Sequence, residues 1–516
     1  MFPWRVWGAL GLLLVGGCGE DSSGSPSGSG GAAGGGAGGT SASGGQGAGG
    51  AGGAAAGSGG SVASGGAGGG GGGATTCGFL PTQGGAGYLS ILPGRRGFGM
   101  ATSAGSGRGQ GASTLHRVTH LGTSGAGSLR ACVEASGPRV CVFEVSGTIE
   151  GDGSLEIRNP YLTIAGQTAP SPGVTLKNTT LAILNTHDVL IQHLRIRVGD
   201  DPNGEDPSNR DALTIGAFPP VAESSNIVID HVSLGWSIDE IMSTWADTGK
   251  LHDIAVVDSI FSEALRCSLH PEGCHSTGLL FGRHTQRAMV VGSLFAHNDW
   301  RNPLLRDAFD SIVVANNVVF ADGDIGVQVQ DNCVSDCSGG ASEGPAHADV
   351  IGNALFFQTA RVGQSGSTFS TGSSFYFGDN RCEAGVGDVC VTSQGVGASF
   401  VAPAPGVSVE GFLPQASALV ESGVLAYAGA RPADRDAVDQ RVVAEVSART
   451  KHLIDSPSQV GGHPQLAENH QTFGDPQNPD EVPATDPATG GANPGYTRRE
   501  LHLQALARAV ECGAGK

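Results

Sequence analysis

Short apolar runs recur through the middle of the chain, and a small or polar residue interrupts most of them. A typical run is rich in β-branched residues, turns polar at one or two positions, and then becomes apolar again. Helical periodicity is missing between the runs, which argues against alternating strands and helices. The pattern predicts short strands over residues 162–164, 189–194, 227–232, 254–260, 289–294, 312–318 and 350–355.

Regular strands joined by loops of changing length are typical of a solenoid. The fold class predicted is all-β, a right-handed parallel β-helix, in which Asn316 and Asn317 stand at corners where amides of successive coils can stack. A β-sandwich or a propeller remains the alternative. A helical pattern at 128–135 precedes the first strands and is expected to cap the open end of the solenoid, while patterns at 434–451 and 497–511 are expected to pack along its side.

The N-terminus carries an export signal. Arg5 is followed by an apolar run at 6–15 and by Gly-Gly-Cys ending at Cys18, which resembles the lipobox of bacterial lipoproteins. An ordinary secretory signal with a chance cysteine is the alternative. We expect a lipoprotein signal at 1–18, a Gly/Ser/Ala-rich flexible linker at 19–76 and one domain at 77–516, on the outer membrane or cell surface or released from it.

Cysteine occurs 11 times, and those beyond Cys18 are even in number and mostly closely paired. In an exported chain this pattern predicts disulfides, and no pair has the Cys-x-x-Cys spacing of a zinc site. The expected pairs are Cys132 with Cys141, Cys267 with Cys274, Cys333 with Cys337, Cys382 with Cys390, and Cys77 with Cys512.

The formal net charge of -19 argues against nucleic acid as a partner and against long-range attraction of an acidic polymer. An acidic substrate would therefore need local cations or a bound metal. In this cation-poor chain, Arg301 and Arg306 flank Pro303, and two guanidiniums held at a bend make a site for carboxylates.

A set of motifs, in the right order between about residue 89 and about residue 475, resembles the pectate lyases of polysaccharide lyase family 1. The resemblance implies the parallel β-helix, and it implies cleavage of pectate, a polymer of galacturonate, by β-elimination. The matching stretches are 91–94 (Ile-Leu-Pro-Gly), 97–99 (Gly-Phe-Gly), 125–130 (Gly-Ala-Gly-Ser-Leu-Arg), 147–149 (Gly-Thr-Ile), 162–170 (Leu-Thr-Ile-Ala-Gly-Gln-Thr-Ala-Pro), 194–200 (Leu-Arg-Ile-Arg-Val-Gly-Asp), 230–234 (Asp-His-Val-Ser-Leu), 236–240 (Trp-Ser-Ile-Asp-Glu) and 301–306 (Arg-Asn-Pro-Leu-Leu-Arg).

The resemblance also implies a calcium site. Asp211 and Asp239 match two calcium aspartates one coil apart, and Ca²⁺ prefers oxygen ligands and tolerates irregular geometry. Many pectate lyases have a further acidic ligand four residues before the second aspartate, where this chain has Gly235. The coordination shell of the ion would then be completed by Glu240, or by carboxylates of the polymer together with water.

Arg301 matches the Brønsted base of the family, and Arg306 matches an arginine that holds a substrate carboxylate. A guanidine base predicts an alkaline optimum, because it must lose a proton that it normally keeps. A substrate-binding lysine is expected near 270–275 but is absent, and Glu272 or Thr277 takes its place. The departure points to reduced affinity, an altered subsite or a substrate with fewer free carboxylates, with Arg266 or Arg283 as possible substitutes.

Other interpretations stay open at this point. Asp230 and His231 match a strong family motif, but a polar pair inside a strand more often forms a buried network, so we expect a structural role. A non-catalytic, surface-tethered glycan-binding solenoid is the main rival. A polygalacturonase-type hydrolase is weaker, because its signatures are absent and Asp200-Asp201 lies in a loop. We expect a monomer whose one contact with a membrane is the lipid anchor.

Overall fold

The computed structural model describes residues 78–80, 83, 88–151, 153–320, 325–330, 344–357, 359–362, 369–393 and 397–513. The predicted signal and linker, and Cys77, Cys333 and Cys337, lie outside these ranges. The described chain forms three sheets whose neighbouring strands come from successive coils. All pairings are parallel except β27 with β28, so the right-handed parallel β-helix is confirmed and a sandwich or propeller is excluded.

Each sheet takes one strand from nearly every coil. Sheet A contains β1 (Thr114–Val118), β2 (Arg139–Phe143), β5 (Leu162–Ala165), β8 (His187–Gln192), β11 (Glu223–Asp230), β14 (Lys250–Val257), β17 (Thr285–Val291), β20 (Asp310–Ala315), β23 (His347–Ile351), β26 (Ser374–Gly378) and β30 (Val401–Ala402). Sheet B contains β3 (Gly147–Glu150), β6 (Val174–Lys177), β9 (Arg195–Arg197), β12 (Ser233–Gly235), β15 (Ile260–Ser262), β18 (Leu294–Ala296), β21 (Val318–Phe320), β24 (Ala354–Phe356), β27 (Arg381–Cys382) and β28 (Gly385–Val386). Sheet C contains β4 (Leu155–Ile157), β7 (Leu181–Leu184), β10 (Leu213–Ala217), β13 (Glu240–Ala246), β16 (Thr277–Phe281), β19 (Leu304–Leu305), β22 (Ile325–Val329), β25 (Thr359–Val362) and β29 (Val391–Ser393).

Most of the predicted apolar runs contain a sharp corner between sheets A and B. The small or polar interruption is where the backbone enters the left-handed region. Examples are His231 (φ 49°), Gly292 (φ 69°), Asn316 (φ 55°) and Gly352 (φ 65°). A single left-handed residue between two extended segments redirects the chain, and short polar residues or glycine tolerate that region best. Each of these runs therefore takes part in two short strands, whereas the run at 162–164 lies within the single strand β5.

An asparagine ladder confirms part of the corner prediction. The side-chain amide of Asn317 donates to Asn353 Oδ1 at 3.0 Å, and that of Asn353 donates to Asn380 Oδ1 at 2.9 Å. Each amide also donates to a backbone carbonyl of an earlier coil, so these buried polar groups are satisfied. Asn316 does not join the ladder, because its amide bonds to Gly352 and Gln415.

Four α-helices cover the solenoid: α1 (Leu129–Glu134), α2 (Val420–Tyr427), α3 (Ala437–Ala448) and α4 (Arg498–Cys512). Helix α1, capped by Ser128, packs Leu129 and Val133 into the core at the first coils. Helix α3 packs its valines against the outer face of sheet B, and α4 packs on sheet A. The predicted cap and side helices are confirmed, whereas α2 was not predicted.

Buried ion pairs fasten α3 to sheet B. Arg197 reaches both Asp436 and Asp439, the latter at 2.7 Å, and all three side chains are nearly inaccessible. Arg195 lies 3.5 Å from the Asp436 carboxylate. Such pairs are strongly destabilising to break, because one charge is left buried alone.

Asp230 and His231 lie in a buried network, as predicted. His231 Nδ1 lies 2.7 Å from Asp230 Oδ1, and Gln192 donates to the other oxygen of that carboxylate at 2.8 Å. Asp230 raises the pKa of His231 to about 10 against the opposing effect of burial. The hydrogen bond from Gln192 links β8 to β11, and His231 lies 3.9 Å from the Glu511 carboxylate of α4.

Three of the predicted disulfides are present: Cys132–Cys141, Cys267–Cys274 and Cys382–Cys390. The predicted pairings of Cys333 with Cys337 and of Cys77 with Cys512 each involve residues outside the described ranges. No helix within those ranges is both long and apolar enough to cross a membrane.

Candidate active site

The predicted site residues meet at one edge of sheet C, where strands of successive coils begin. Asp211 lies just before β10, Asp239 and Glu240 open β13, and Arg301 lies just before β19. Neighbouring strands in this sheet are parallel and in register, with Glu240 opposite Thr277 and Thr277 opposite Trp300. Because adjacent strands lie about 4.8 Å apart, equivalent positions in these coils come within reach of one ligand.

The three predicted metal ligands form one acidic cluster. Asp211, Asp239 and Glu240 each offer a carboxylate oxygen, and these oxygens lie within 4.8 Å of one another. Asp211 is only 4% exposed, and its carboxylate accepts hydrogen bonds from the Glu240 backbone at 3.0 Å and from the Thr214 and Ser243 hydroxyls. These donors fix the orientation of Asp211 toward its neighbours.

Burial raises the pKa values of the two aspartates in this cluster. The pKa of Asp211 lies well above its usual range, first because it is buried and then because Asp239 is near. Burial also raises the pKa of Asp239. A divalent cation would remove this repulsion, and an all-oxygen donor set fits Ca²⁺. The residues present therefore fit the metal that the motif resemblance implies.

Arg301 lies directly against the acidic cluster. Its backbone is left-handed (φ 58°), and one terminal nitrogen donates to Glu240 Oε1. Its Nε is buried and has no hydrogen-bond partner among the described residues. The pKa of Arg301 is lowered to about 10, chiefly by burial and also by Arg306, against the opposing effect of Asp239 and the other carboxylates. A guanidinium in this position is easier to deprotonate than one in water.

Arg306 stands at the other end of the short strand β19. Its side chain is 34% exposed, and its Nε lies 3.1 Å from Asp307 Oδ2. The other N–H groups of the guanidinium can bind a carboxylate through two parallel hydrogen bonds. Arg306 is thus near the cluster but faces more solvent than Arg301 does.

An imidazole pair beside Asp239 was missed by the sequence analysis. His270 and His275 stack with ring centroids 3.6 Å apart, and the Nε2 atom of each lies 3.8 Å from Asp239 Oδ1. The disulfide Cys267–Cys274 closes the loop that carries His270. The two histidines that flank Cys274 in a cysteine-bounded loop are the sequence signal for this pair.

Of the two arginines expected as substitutes for that lysine, Arg266 lies beside the imidazole pair, because its carbonyl accepts a hydrogen bond from the His275 backbone at 2.6 Å, whereas Arg283 lies near the far end of β13. The guanidinium of Arg266 is half exposed with its Nε 3.7 Å from Asp299, and that of Arg283 stacks on the Trp245 ring at 4.6 Å. Thr277 donates its hydroxyl to the Asp239 carbonyl at 3.1 Å, so it supports the site backbone.

No family model matches the chain, but curated relatives do. A protein named probable pectate lyase C from Neosartorya fischeri is 28% identical over 442 residues, which cover 81% of this chain and 94% of the relative. The protein of the same name from Emericella nidulans is 33% identical over 246 residues, which cover 48% of this chain and 51% of the relative.

Solved structures with a similar fold include Jun a 1, the major allergen from cedar pollen (15% identity, TM-score 0.42, covering 64% of this chain and 91% of that one). A pectate lyase from Paenibacillus sp. 0602 gives 10% identity and a TM-score of 0.42, covering 67% and 98%. A pectate lyase from Bacillus sp. N165 in complex with trigalacturonate gives 13% and 0.39, covering 63% and 98%. The resemblance seen in the motifs is confirmed by the curated relatives: over most of its length, this chain is similar to proteins named probable pectate lyase C.

Proposed function

We propose that the chain cleaves pectate by calcium-dependent β-elimination and releases oligosaccharides with 4,5-unsaturated non-reducing ends. The observation that carries this proposal is the contact between Arg301 and the acidic cluster of Asp211, Asp239 and Glu240. A base and a divalent-cation site at one strand edge are what elimination next to a carboxylate needs.

The chemistry starts from the weak acidity of C5–H next to an anionic carboxylate. When bound at the cluster, Ca²⁺ would supply Lewis-acid stabilisation of the negative charge that develops beside the carboxylate. Asp211, Asp239 and Glu240 would hold the ion, with Asp211 oriented by its hydroxyl donors. The cluster and the base are held at the edge of one rigid sheet, which favours a fixed reacting geometry.

Arg301 would take the C5 proton onto its neutral guanidine. The electron pair of the C5–H bond forms the C4–C5 double bond, the C4–O bond breaks, and the leaving oxygen is protonated by solvent. Arg306 would hold a carboxylate of the bound polymer while the bond breaks. The left-handed backbone at Arg301 places a sparsely populated conformation at the reacting group, as functional sites often do.

The test is direct. The purified protein is incubated with polygalacturonate and calcium, and ultraviolet absorbance of unsaturated ends is followed. We expect absorbance that grows and that stops when a chelator removes the metal. New reducing ends without absorbance would instead mean hydrolysis. Bound polymer with neither signal would mean a non-catalytic, adhesive role.

An alkaline optimum follows from the pKa of Arg301. Burial lowers that pKa to about 10, and a base acts only when deprotonated, so kcat should rise with pH through the neutral range toward that value. A pH series of initial rates at saturating substrate and calcium measures this. A rate that peaks in acid and falls through neutral pH would contradict the guanidine base.

We further propose that the protein acts as a monomer, exported and held at the outer membrane or cell surface by a lipid on Cys18, or released from there. The lipobox-like end of the signal and the Gly/Ser/Ala-rich stretch after it support this proposal. A flexible tether would let the solenoid reach polymer away from the membrane.

A further inference from the structure

The charges around the candidate site are mostly negative. The carboxylates that surround Arg301 and Asp239 belong to the acidic cluster and to Glu272 and Asp307, whereas Arg301 and Arg306 supply the nearby fixed positive charge. These are five carboxylates against two guanidiniums, so the group keeps a net negative charge even when a divalent cation is bound. Fully ionised pectate would bring a further negative charge with every sugar unit.

The imidazole pair faces a carboxylate that the site already contains. The backbone N–H of Glu272 donates to His270 Nδ1 at 3.2 Å, and the Nε2 atoms of His270 and His275 each lie 3.8 Å from Asp239 Oδ1.

An exposed indole lies beside the proposed base. Trp300 is 39% exposed, in a chain with only 5% aromatic residues, and the Arg301 guanidinium lies 4.7 Å from its ring centroid. The Trp300 backbone is held by hydrogen bonds from its N–H to Ser276 and from Gly278 to its carbonyl. A fixed, half-exposed aromatic face binds apolar sugar faces and methyl groups, and its negative π-surface disfavours anions.

From these observations we infer that the site selects partly methyl-esterified galacturonan, with Trp300 as the specificity-determining contact. This inference rests on the proposed elimination. One unit keeps its free carboxylate for the acidic cluster, and a neighbouring unit presents a neutral methyl ester to the indole. Full esterification would remove the carboxylate that the metal needs, and full ionisation would place an anion against Trp300.

The experiment compares kcat/KM on polygalacturonate, partly methyl-esterified pectin and fully methyl-esterified pectin, all with calcium. We expect the partly esterified substrate to be best. In Trp300→Ala its KM should rise about tenfold, as loss of an apolar contact to one methyl-sized group does, while KM for polygalacturonate changes little. Trp300→Phe keeps an aromatic face and should retain part of the preference.

Trp245→Ala is the matched control. Trp245 is also partly exposed, lies on sheet C, and carries the Arg283 guanidinium 4.6 Å from its ring centroid, but at the far end of β13. It should leave the ratio of the two kcat/KM values unchanged. Circular dichroism of each variant shows whether the β-helix is retained.

Two results would overturn this inference while leaving the proposed elimination intact. The first is cleavage of polygalacturonate as efficiently as, or more efficiently than, partly esterified pectin. The second is a Trp300→Ala variant that loses kcat equally on both substrates with KM unchanged. The second result would mean that Trp300 only positions Arg301. Absence of unsaturated product from every substrate would overturn the proposed elimination itself, and the inference with it.

Discussion

Replacing Arg301 by lysine is expected to lower kcat by about a thousandfold, the scale of losing a positioned base, without unfolding the protein. Lysine keeps a positive charge that can pair with Glu240. It has a single terminal nitrogen, however, so one group cannot both hold that carboxylate and face the sugar. The measurement is the initial rate of ultraviolet absorbance with saturating polygalacturonate and calcium.

Arg287→Lys is a closely matched control for this variant. Arg287 also has a left-handed backbone (φ 46°) and also pairs with a carboxylate, that of Asp253, but it lies on sheet A. Its rate should stay near that of the unaltered protein. If Arg301→Lys kept most of its activity while both variants remained folded, Arg301 would not be the base.

The second large effect is expected at Asp211. Asp211→Asn removes one of three clustered negative charges while keeping the size of the side chain, so calcium affinity should fall at least about tenfold because ligand charge sets the affinity of such sites. In chelator, the variant should melt at a higher temperature than the unaltered chain. The raised pKa of Asp211 means that its ionisation destabilises the metal-free fold as pH rises, and asparagine removes that penalty.

Calcium titration by calorimetry and melting curves with and without the ion measure both changes. The unaltered chain should gain melting temperature with calcium, because an ion that binds only the folded state stabilises it. Asp349→Asn is the control: Asp349 is buried with a raised pKa but lies on sheet A, so its variant should keep the calcium response. An undiminished response in Asp211→Asn would remove Asp211 from the metal site.

The fold could be predicted to a large extent because its signal repeats. Each coil contributes the same apolar run, and the helical patterns at 434–451 and 497–511 became α3 and α4. The corner inside each run could not be predicted, because apolar residues flank it on both sides and only one backbone dihedral changes sign, as at His231. Helix α2 is short, and the 3₁₀ turn before it and the packing on sheet B decide its conformation more than its own sequence does.

The sequence predicts the residues of the candidate site but not their contacts. Asp211 and Asp239 come from adjacent coils and Arg301 from the second coil after Asp239, so the solenoid brings them together at one edge of sheet C. The ion pair between Arg301 and Glu240 spans residues two coils apart along the sheet edge, and no local pattern encodes it. The imidazole pair depends on how the disulfide-closed loop folds back toward Asp239, which spacing alone does not specify.

The edge of sheet C takes Asp211, the Asp239–Glu240 pair and Arg301 from three different coils, while the loop of Cys267–Cys274 leaves the ladder between β15 and β16. Strand pairing holds Glu240 opposite Thr277 and Thr277 opposite Trp300 whatever the length of that loop. Insertions or replacements in the loop can therefore change the side chains that face the candidate site without shifting the strands that carry Asp239 and Arg301. Sequence variation in the loops and the register of the strands are thus separable in this architecture.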